Sequence, residues 1–247
     1  MKIMKFGGSS VGSSELIKKV ISIIKDSIEN SKGIVVVFSA FKGVTDQLIA
    51  LGRFASQGDE SYYSSFKELE SRHFGVAKDI ISTSNQSKVF PHLIRTLNEL
   101  QDVLHGVYLV KEASPRTLDF IMSFGERLSA YLISEAMLDR KINCEFLDSR
   151  EVIKTNDHFG SAKVDFSMTN QLIVEYFQHH KLPQIITGFI GSTQNNETTT
   201  LGRGGSDYSA SIFGAVCNAE VIEIWTDVNG VMTADPRKVE KAFTISN

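Results

Sequence analysis

Apolar residues recur along this chain in two rhythms, one of strands and one of helices. Lys2 to Phe6 reads as a short strand, and Ile34-Val35-Val36-Val37-Phe38 is a continuous apolar, largely β-branched run. The second is the kind of run expected of a strand buried on both faces of a parallel sheet. Between them, Leu16, Ile17, Val20, Ile21, Ile24 and Ile28 fall on one face of a helix beginning near Ser14, with Glu15 in its first turn complementing the dipole. Strand, polar loop Gly7–Gly12, helix, strand makes a βαβ unit. Thr45-Asp46 opens a further helix, and helices are predicted around Tyr62 to Ile80, Phe90 to Val110 and Thr117 to Leu138, broken at Pro91 and Pro115. Ile142 to Leu147 and Pro183 to Phe189 predict strands, with a helix over Asn170 to Gln178 between them. A small-residue helix over Ser209 to Ala215, capped by Ser206, leads to a last strand at Val221 to Trp225. Strands alternating with helices predict one α/β domain over residues 1–247, with a mainly parallel central sheet and helices on both faces.

Composition narrows the function classes. A net charge of −3 provides no basic field for nucleic acid. Cys144 and Cys217 are far apart and have no metal spacing, which argues for a reducing compartment and against a disulfide frame or a zinc site. No apolar stretch is long enough to span a bilayer, and Met1-Lys2-Ile3-Met4-Lys5 runs straight into a strand without the apolar core of a signal peptide. The expectation is a soluble cytoplasmic protein with no membrane partner. The six histidines show no metal spacing, so no protein metal site is expected.

The polar residues that stand out sit where strands end. They are Lys5 with Gly7-Gly8-Ser9, Ser39-Ala40, Gly188 and Gly191, and Thr226-Asp227. Ligands of open α/β sheets bind outside the carboxyl ends of the strands. Lys5 lies inside its strand, so its ammonium is expected to point into that crevice. The stretch Leu201-Gly202-Arg203-Gly204-Gly205-Ser206-Asp207 adds an arginine among glycines at a helix start, an anion site made of backbone amides, helix dipole and guanidinium. Two glycine loops and a lysine suggest a polyphosphate ligand. The chain carries neither G-x-x-x-x-G-K-[ST] nor G-x-G-x-x-G, and the protein-kinase motifs are absent too.

Five segments carry a resemblance. Lys5-Phe6-Gly7-Gly8-Ser9-Ser10-Val11, Phe124-Gly125-Glu126-Arg127-Leu128-Ser129, Gly188-Phe189-Ile190-Gly191, Thr198 to Tyr208 and Trp225-Thr226-Asp227-Val228 resemble, in order and spacing, the aspartate kinase family of the amino-acid-kinase superfamily. The resemblance implies a three-layer αβα sandwich of the amino-acid-kinase, or carbamate-kinase-like, fold. It implies ATP-dependent phosphorylation of the side-chain carboxylate of L-aspartate to 4-phospho-L-aspartate, the entry to lysine, threonine and methionine synthesis. It also implies Mg²⁺ carried on the phosphates, and a homo-oligomer in the full-length protein. By the same resemblance Lys5 binds the ATP phosphates and stabilises transferring charge, and Asp207 orients Lys5. Gly7, Gly8 and Ser9 supply amide donors to the phosphates. Arg203 clamps the substrate α-carboxylate, with Gly204 and Ser206 beside it on the substrate side. Glu126 accepts from the α-ammonium, and Ser39 with Thr45 holds the reacting carboxylate. Thr226, Asp227 and Arg237 contact the nucleotide, and Met232 stands where the family often has a nucleotide-side tyrosine. Ser10 replaces the usual threonine and keeps the hydroxyl.

A carboxylate nucleophile has an unperturbed pKa of about 4 and is ionised at neutral pH, so no general base is needed. The family continues past residue 247 with a segment carrying another nucleotide-side lysine and then with regulatory domains. The chain is therefore expected to be part of a longer enzyme, of a kind that includes fusions to a homoserine dehydrogenase. Two other readings stay open at this point. One is a superfamily kinase acting on glutamate, acetylglutamate, carbamate or UMP; the other is a catalytically inert module that binds ATP or an amino acid.

Overall fold

In the computed structural model the described residues are 1–247 except 32, 229, 231, 235–238, 240 and 246–247. Arg237, expected on the nucleotide side, therefore lies outside the described residues. Five parallel strands form the central sheet in the order β3 (Glu145–Leu147), β4 (Gln184–Thr187), β2 (Ile34–Phe38), β1 (Lys2–Phe6) and β7 (Val221–Trp225). Side chains alternate across a strand, and the alternation separates two cores. Met4, Phe6, Val36 and Phe38 pack with helices α1 (Ser14–Asn30), α2 (Val44–Ser56), α3 (Ser61–Ile80), α4 (Thr83–Val110) and α5 (Pro115–Asp139). Ile3, Val35 and Val37 face the other way, toward α6 (Phe166–His179) and α7 (Gly205–Val216). Three layers result, as the pattern predicted. Lys5 shares the parity of Ile3 and so emerges on the α7 side of the sheet.

Several local expectations are corrected. Pro91 does not break its helix, because α4 runs through it from Thr83 to Val110. An interior proline costs roughly 3 kcal/mol, and here the buried stripe Val89, Leu93, Leu97, Leu100 and Leu104 offsets that. Pro115 sits at the first position of α5, where its missing N–H has no helical partner to lose. Neither Thr45 nor Ser206 caps a helix. Gly43 (φ 79°) caps α2 and Gly204 (φ 73°) caps α7, which leaves the Thr45 and Ser206 side chains inside the first turns. An antiparallel pair, β5 (Ile190–Ser192) with β6 (Thr198–Thr200), branches off after β4. The chain leaves the sheet at Phe189, whose φ of 68° ends the extended run. Among the described residues no helix is long and apolar enough to cross a membrane.

Candidate active site

The carboxyl ends of the strands open into a cleft of about 390 Å³ lined by Lys5, Ser39, Thr45, Glu126, Arg203, Gly204, Ser206 and Asp207, together with Ile49, Met122, Gly160, Phe189, Thr200, Gly202 and Gly205. All eight residues expected on the catalytic and substrate sides line one cavity. Lys5 is nearly buried, and its Nζ lies 2.7 Å from Asp207 Oδ1. Asp207, in the first turn of α7, is half exposed. An acid in that turn is favoured by the helix dipole, so β1 and α7 are joined at the cleft by one ion pair.

Glu126 is the electrostatic oddity. It projects from α5 into the interior and is 3% exposed. Its Oε1 accepts the Ala40 amide at 3.0 Å, while Oε2 is buried with no hydrogen-bond partner among the described residues. Burial pushes this carboxyl up to about 8, against the pull of the Ala40 N–H and the nearby Lys5 charge. Gly125 makes the placement possible, because a Cβ there would stand 2.7 Å from Ala40 Cβ. The helix thus meets the loop after β2 at backbone distance. Ser129, one turn on, donates to Ser39 carbonyl oxygen at 2.8 Å and fixes the same loop.

The Arg203 loop is built on left-handed glycines. Gly202 (φ 74°) and Gly204 (φ 73°) turn the chain from β6 into α7, and Gly205 packs so closely that a Cβ would lie 2.7 Å from Phe189 Cδ2. Arg203 is exposed and makes no ion pair among the described residues. A guanidinium in this position suits a carboxylate ligand, which it can bind by two parallel bonds.

The nucleotide-side residues are placed differently. The Gly7 amide, expected to face phosphate, donates here to Trp225 carbonyl oxygen at 3.1 Å. Gly8 and Ser9, at the start of the short 3-10 turn Gly8–Val11, have amides without partners among the described residues. Gly8 also abuts the loop after β2, where a Cβ would meet Ala40 carbonyl oxygen at 3.0 Å. Thr226 and Asp227 are exposed beyond β7, with the Thr226 hydroxyl on Asp227 Oδ1 at 3.1 Å, and Met232 pairs with Thr244. None of these lines the Lys5 cleft.

Sequence reasoning missed Asp119, Gly160 and Thr200. The β-branched run Thr198-Thr199-Thr200 was a legible strand signal. Nothing local marks Asp119 as buried.

The amino acid kinase family model matches residues 1–247. The chain belongs to the amino acid kinase family. Its relatives within the family include the chloroplastic bifunctional aspartokinase/homoserine dehydrogenase 2 of Arabidopsis thaliana, 36% identical over 98% of this chain and 26% of that protein. Lysine-sensitive aspartokinase 3 of Escherichia coli is 32% identical over 98% of this chain and 52% of its own length. The crystal structure of E. coli aspartokinase III in complex with aspartate and ADP superposes with a TM-score of 0.88 at 30% identity, over 99% of this chain and 53% of that one. The chain thus spans about a quarter to a half of the length of these relatives.

Proposed function

We propose that residues 1–247 form a single catalytic domain that transfers the γ-phosphoryl group of ATP to the side-chain carboxylate of L-aspartate. The observation that carries this reading is the pairing of opposite needs in one cleft. Glu126, whose buried Oε2 has no hydrogen-bond partner among the described residues, lines the same cavity as Arg203, which makes no ion pair among them. An α-amino acid, with an ammonium and a carboxylate on one carbon, satisfies both. Ser39 and Thr45 line the same cavity and would hold its side-chain carboxylate, and Lys5, which lines it too, would meet the transferring phosphoryl group. The relatives support the choice of aspartate, since they are named aspartokinases and one was crystallised with aspartate and ADP.

Chemistry then follows from position. The nucleophile arrives ionised, so the residues need only align two anions and stabilise charge on the transferring group. Lys5 does the second, held in place by Asp207 at 2.7 Å. The Gly8 and Ser9 amides are open to phosphate oxygens. Among the described residues no three acidic or His/Cys groups cluster as a metal cage. Asp207, a half-exposed carboxylate lining the cleft, would help hold a Mg²⁺ carried mainly by phosphates and water. When bound, the ion supplies charge neutralisation on those phosphates. Both cysteines are free thiols, which supports placement in a reducing compartment.

The test is trapping of acylphosphate as hydroxamate from Mg·ATP with L-aspartate, and with L-glutamate in parallel. Signal with aspartate alone is the expected result. Signal with glutamate alone would overturn the substrate.

A further inference from the structure

Helix α5 carries a second buried carboxylate, Asp119, two turns before Glu126 and 0% exposed. Asp119 Oδ2 accepts the Gly160 amide at 2.9 Å and the Thr200 amide at 2.9 Å, while Oδ1 accepts the Thr200 hydroxyl at 2.8 Å. No cation pairs with it among the described residues. Its three donors come from two segments far from α5 in sequence, and both donor residues line the cleft. Thr200 is the last residue of β6 and stands three residues before Arg203. Gly160 belongs to the loop that covers Gly202, where a Cβ would meet Ser161 Cβ at 3.3 Å. The two segments are also joined by the Ala162 amide on Thr200 carbonyl oxygen at 2.9 Å.

One rigid helix therefore grips both walls of the cavity. Its middle holds the Ser39-Ala40 loop through Glu126, and its first turns hold the base of the Arg203 loop through Asp119. A buried carboxylate is costly to keep without a cation, and it is tolerated here because three donors converge on it. A neutral apolar residue would pack as well but could not tie two chain segments to one point.

Building on the proposed function, we infer that Asp119 is a positioning residue for amino-acid recognition. It fixes the Gly160 loop and the β6 end against α5, and so sets the span between Glu126 and Arg203 that an ammonium and an α-carboxylate must bridge. It touches neither substrate nor phosphate. Its effect is on which molecules bind and how tightly, and phosphoryl transfer is left to Lys5.

The experiment compares wild type, Asp119→Ala and Asp119→Asn in steady-state kinetics, varying aspartate and ATP separately, with circular dichroism to check folding. Misplacing a binding group by about 1 Å costs on the order of 100-fold, so Asp119→Ala is expected to raise the KM for aspartate about 10–100-fold. The KM for ATP should stay within about twofold. Asp119→Asn is expected to recover most of the loss, because its amide oxygen can accept both backbone N–H groups while its NH₂ donates to the Thr200 hydroxyl oxygen. Equal changes in both KM values, no change in either, or an Asn variant as impaired as Ala would overturn the inference. Should Asp119→Ala fail to fold, Thr200→Val removes one of the three bonds. The expected result is then a rise of about 3–10-fold in aspartate KM alone, and no rise would count against the proposal. A wild-type protein that turns over no aspartate would sink the functional reading instead. Positioning is then read from hydrogen exchange in the unliganded protein. Exchange at Gly160 and Thr200 must accelerate in whichever variant folds while Ala40, held by Glu126, does not; unchanged exchange at Gly160 and Thr200 would sink the inference as well.

Discussion

Asp119 and Glu126 are two carboxylates on the same helix, two turns apart and both hidden from solvent, yet their surroundings differ sharply. Asp119 has three donors on its two oxygens. Among the described residues Glu126 has one donor on one oxygen and none on the other. Burial raises the pKa of both, but only Glu126 is pushed as far as about 8. Desolvation is the largest cause in both, and three hydrogen bonds to the charged form of Asp119 oppose it. A saturated buried carboxylate holds structure together. An unsaturated one on a residue that lines a cavity lacks a donor, and on the proposed function a substrate ammonium has the right charge and size to supply it. Strain of this kind at a site, with full satisfaction nearby, is what a binding cleft requires of the fold that supports it.

The largest expected effect comes from Lys5. Lys5→Met should lower turnover about 10²–10³-fold while amino-acid affinity at pH 9 changes little, as read by hydroxamate formation and by calorimetry. It also removes a charge that favours ionised Glu126. The pH midpoint of amino-acid binding should therefore move above that of the wild type.

Glu126→Gln tests the unsaturated carboxylate directly. Loss of a charged bond to the ammonium should weaken aspartate binding about 10–100-fold, measured by calorimetry. Stability should move the other way with pH. The unfolded chain ionises Glu126 near 4.5 and the folded one near 8. Between these values the folded state holds a proton that the unfolded state lacks, so wild-type stability falls as pH rises through that window. Glutamine has no such penalty. Thermal melts should show the variant gaining on wild type from pH 5 upward, with the gap widest above pH 8. Equal melting curves at pH 5 and pH 9 would mean that Glu126 is already ionised in the empty cleft.

The wild-type protein should show the matching signature in binding. Aspartate affinity should rise with pH from 6 toward 8, approaching tenfold per unit well below the midpoint, and then level off. Asp119 is not expected to imprint such a profile.

Gly125→Ala should have the smallest effect on chemistry and a clear one on packing. Its Cβ would lie 2.7 Å from Ala40 Cβ, and overpacking of this kind costs roughly 1–3 kcal/mol. A melting temperature lower by several degrees, with aspartate affinity reduced less than in Glu126→Gln, would keep the comparison intact. No change in melting would show that α5 and the Ala40 loop can separate freely.

Much of this site was legible in the sequence. Lys5 could be placed in the crevice because side chains alternate along a strand, and the Arg203 loop because glycines there permit left-handed backbone. The eight residues expected on the catalytic and substrate sides do line one cleft. The nucleotide side was less legible. Gly7 was expected to offer its amide to phosphate, and here that amide donates to the Trp225 carbonyl at the end of β7, a partner more than two hundred residues away that no local pattern reveals. The break expected at Pro91 and the cap expected at Ser206 failed for a related reason. Local preference is worth about 1–3 kcal/mol, and a long apolar stripe or a glycine turn outweighs it.

By itself the sequence determined the alternation of strands and helices, the parity that sends Lys5 toward α7, and the residue types gathered at the strand ends. These depend on periods of two and 3.6 residues and on backbone freedom at glycine, all of which act over a few neighbours. Only the tertiary structure decided which buried carboxylate is satisfied and which is left open. Hydrogen-bond saturation depends on donors brought from distant segments, here Ala40, Gly160 and Thr200 converging on one helix, and no local pattern records that convergence.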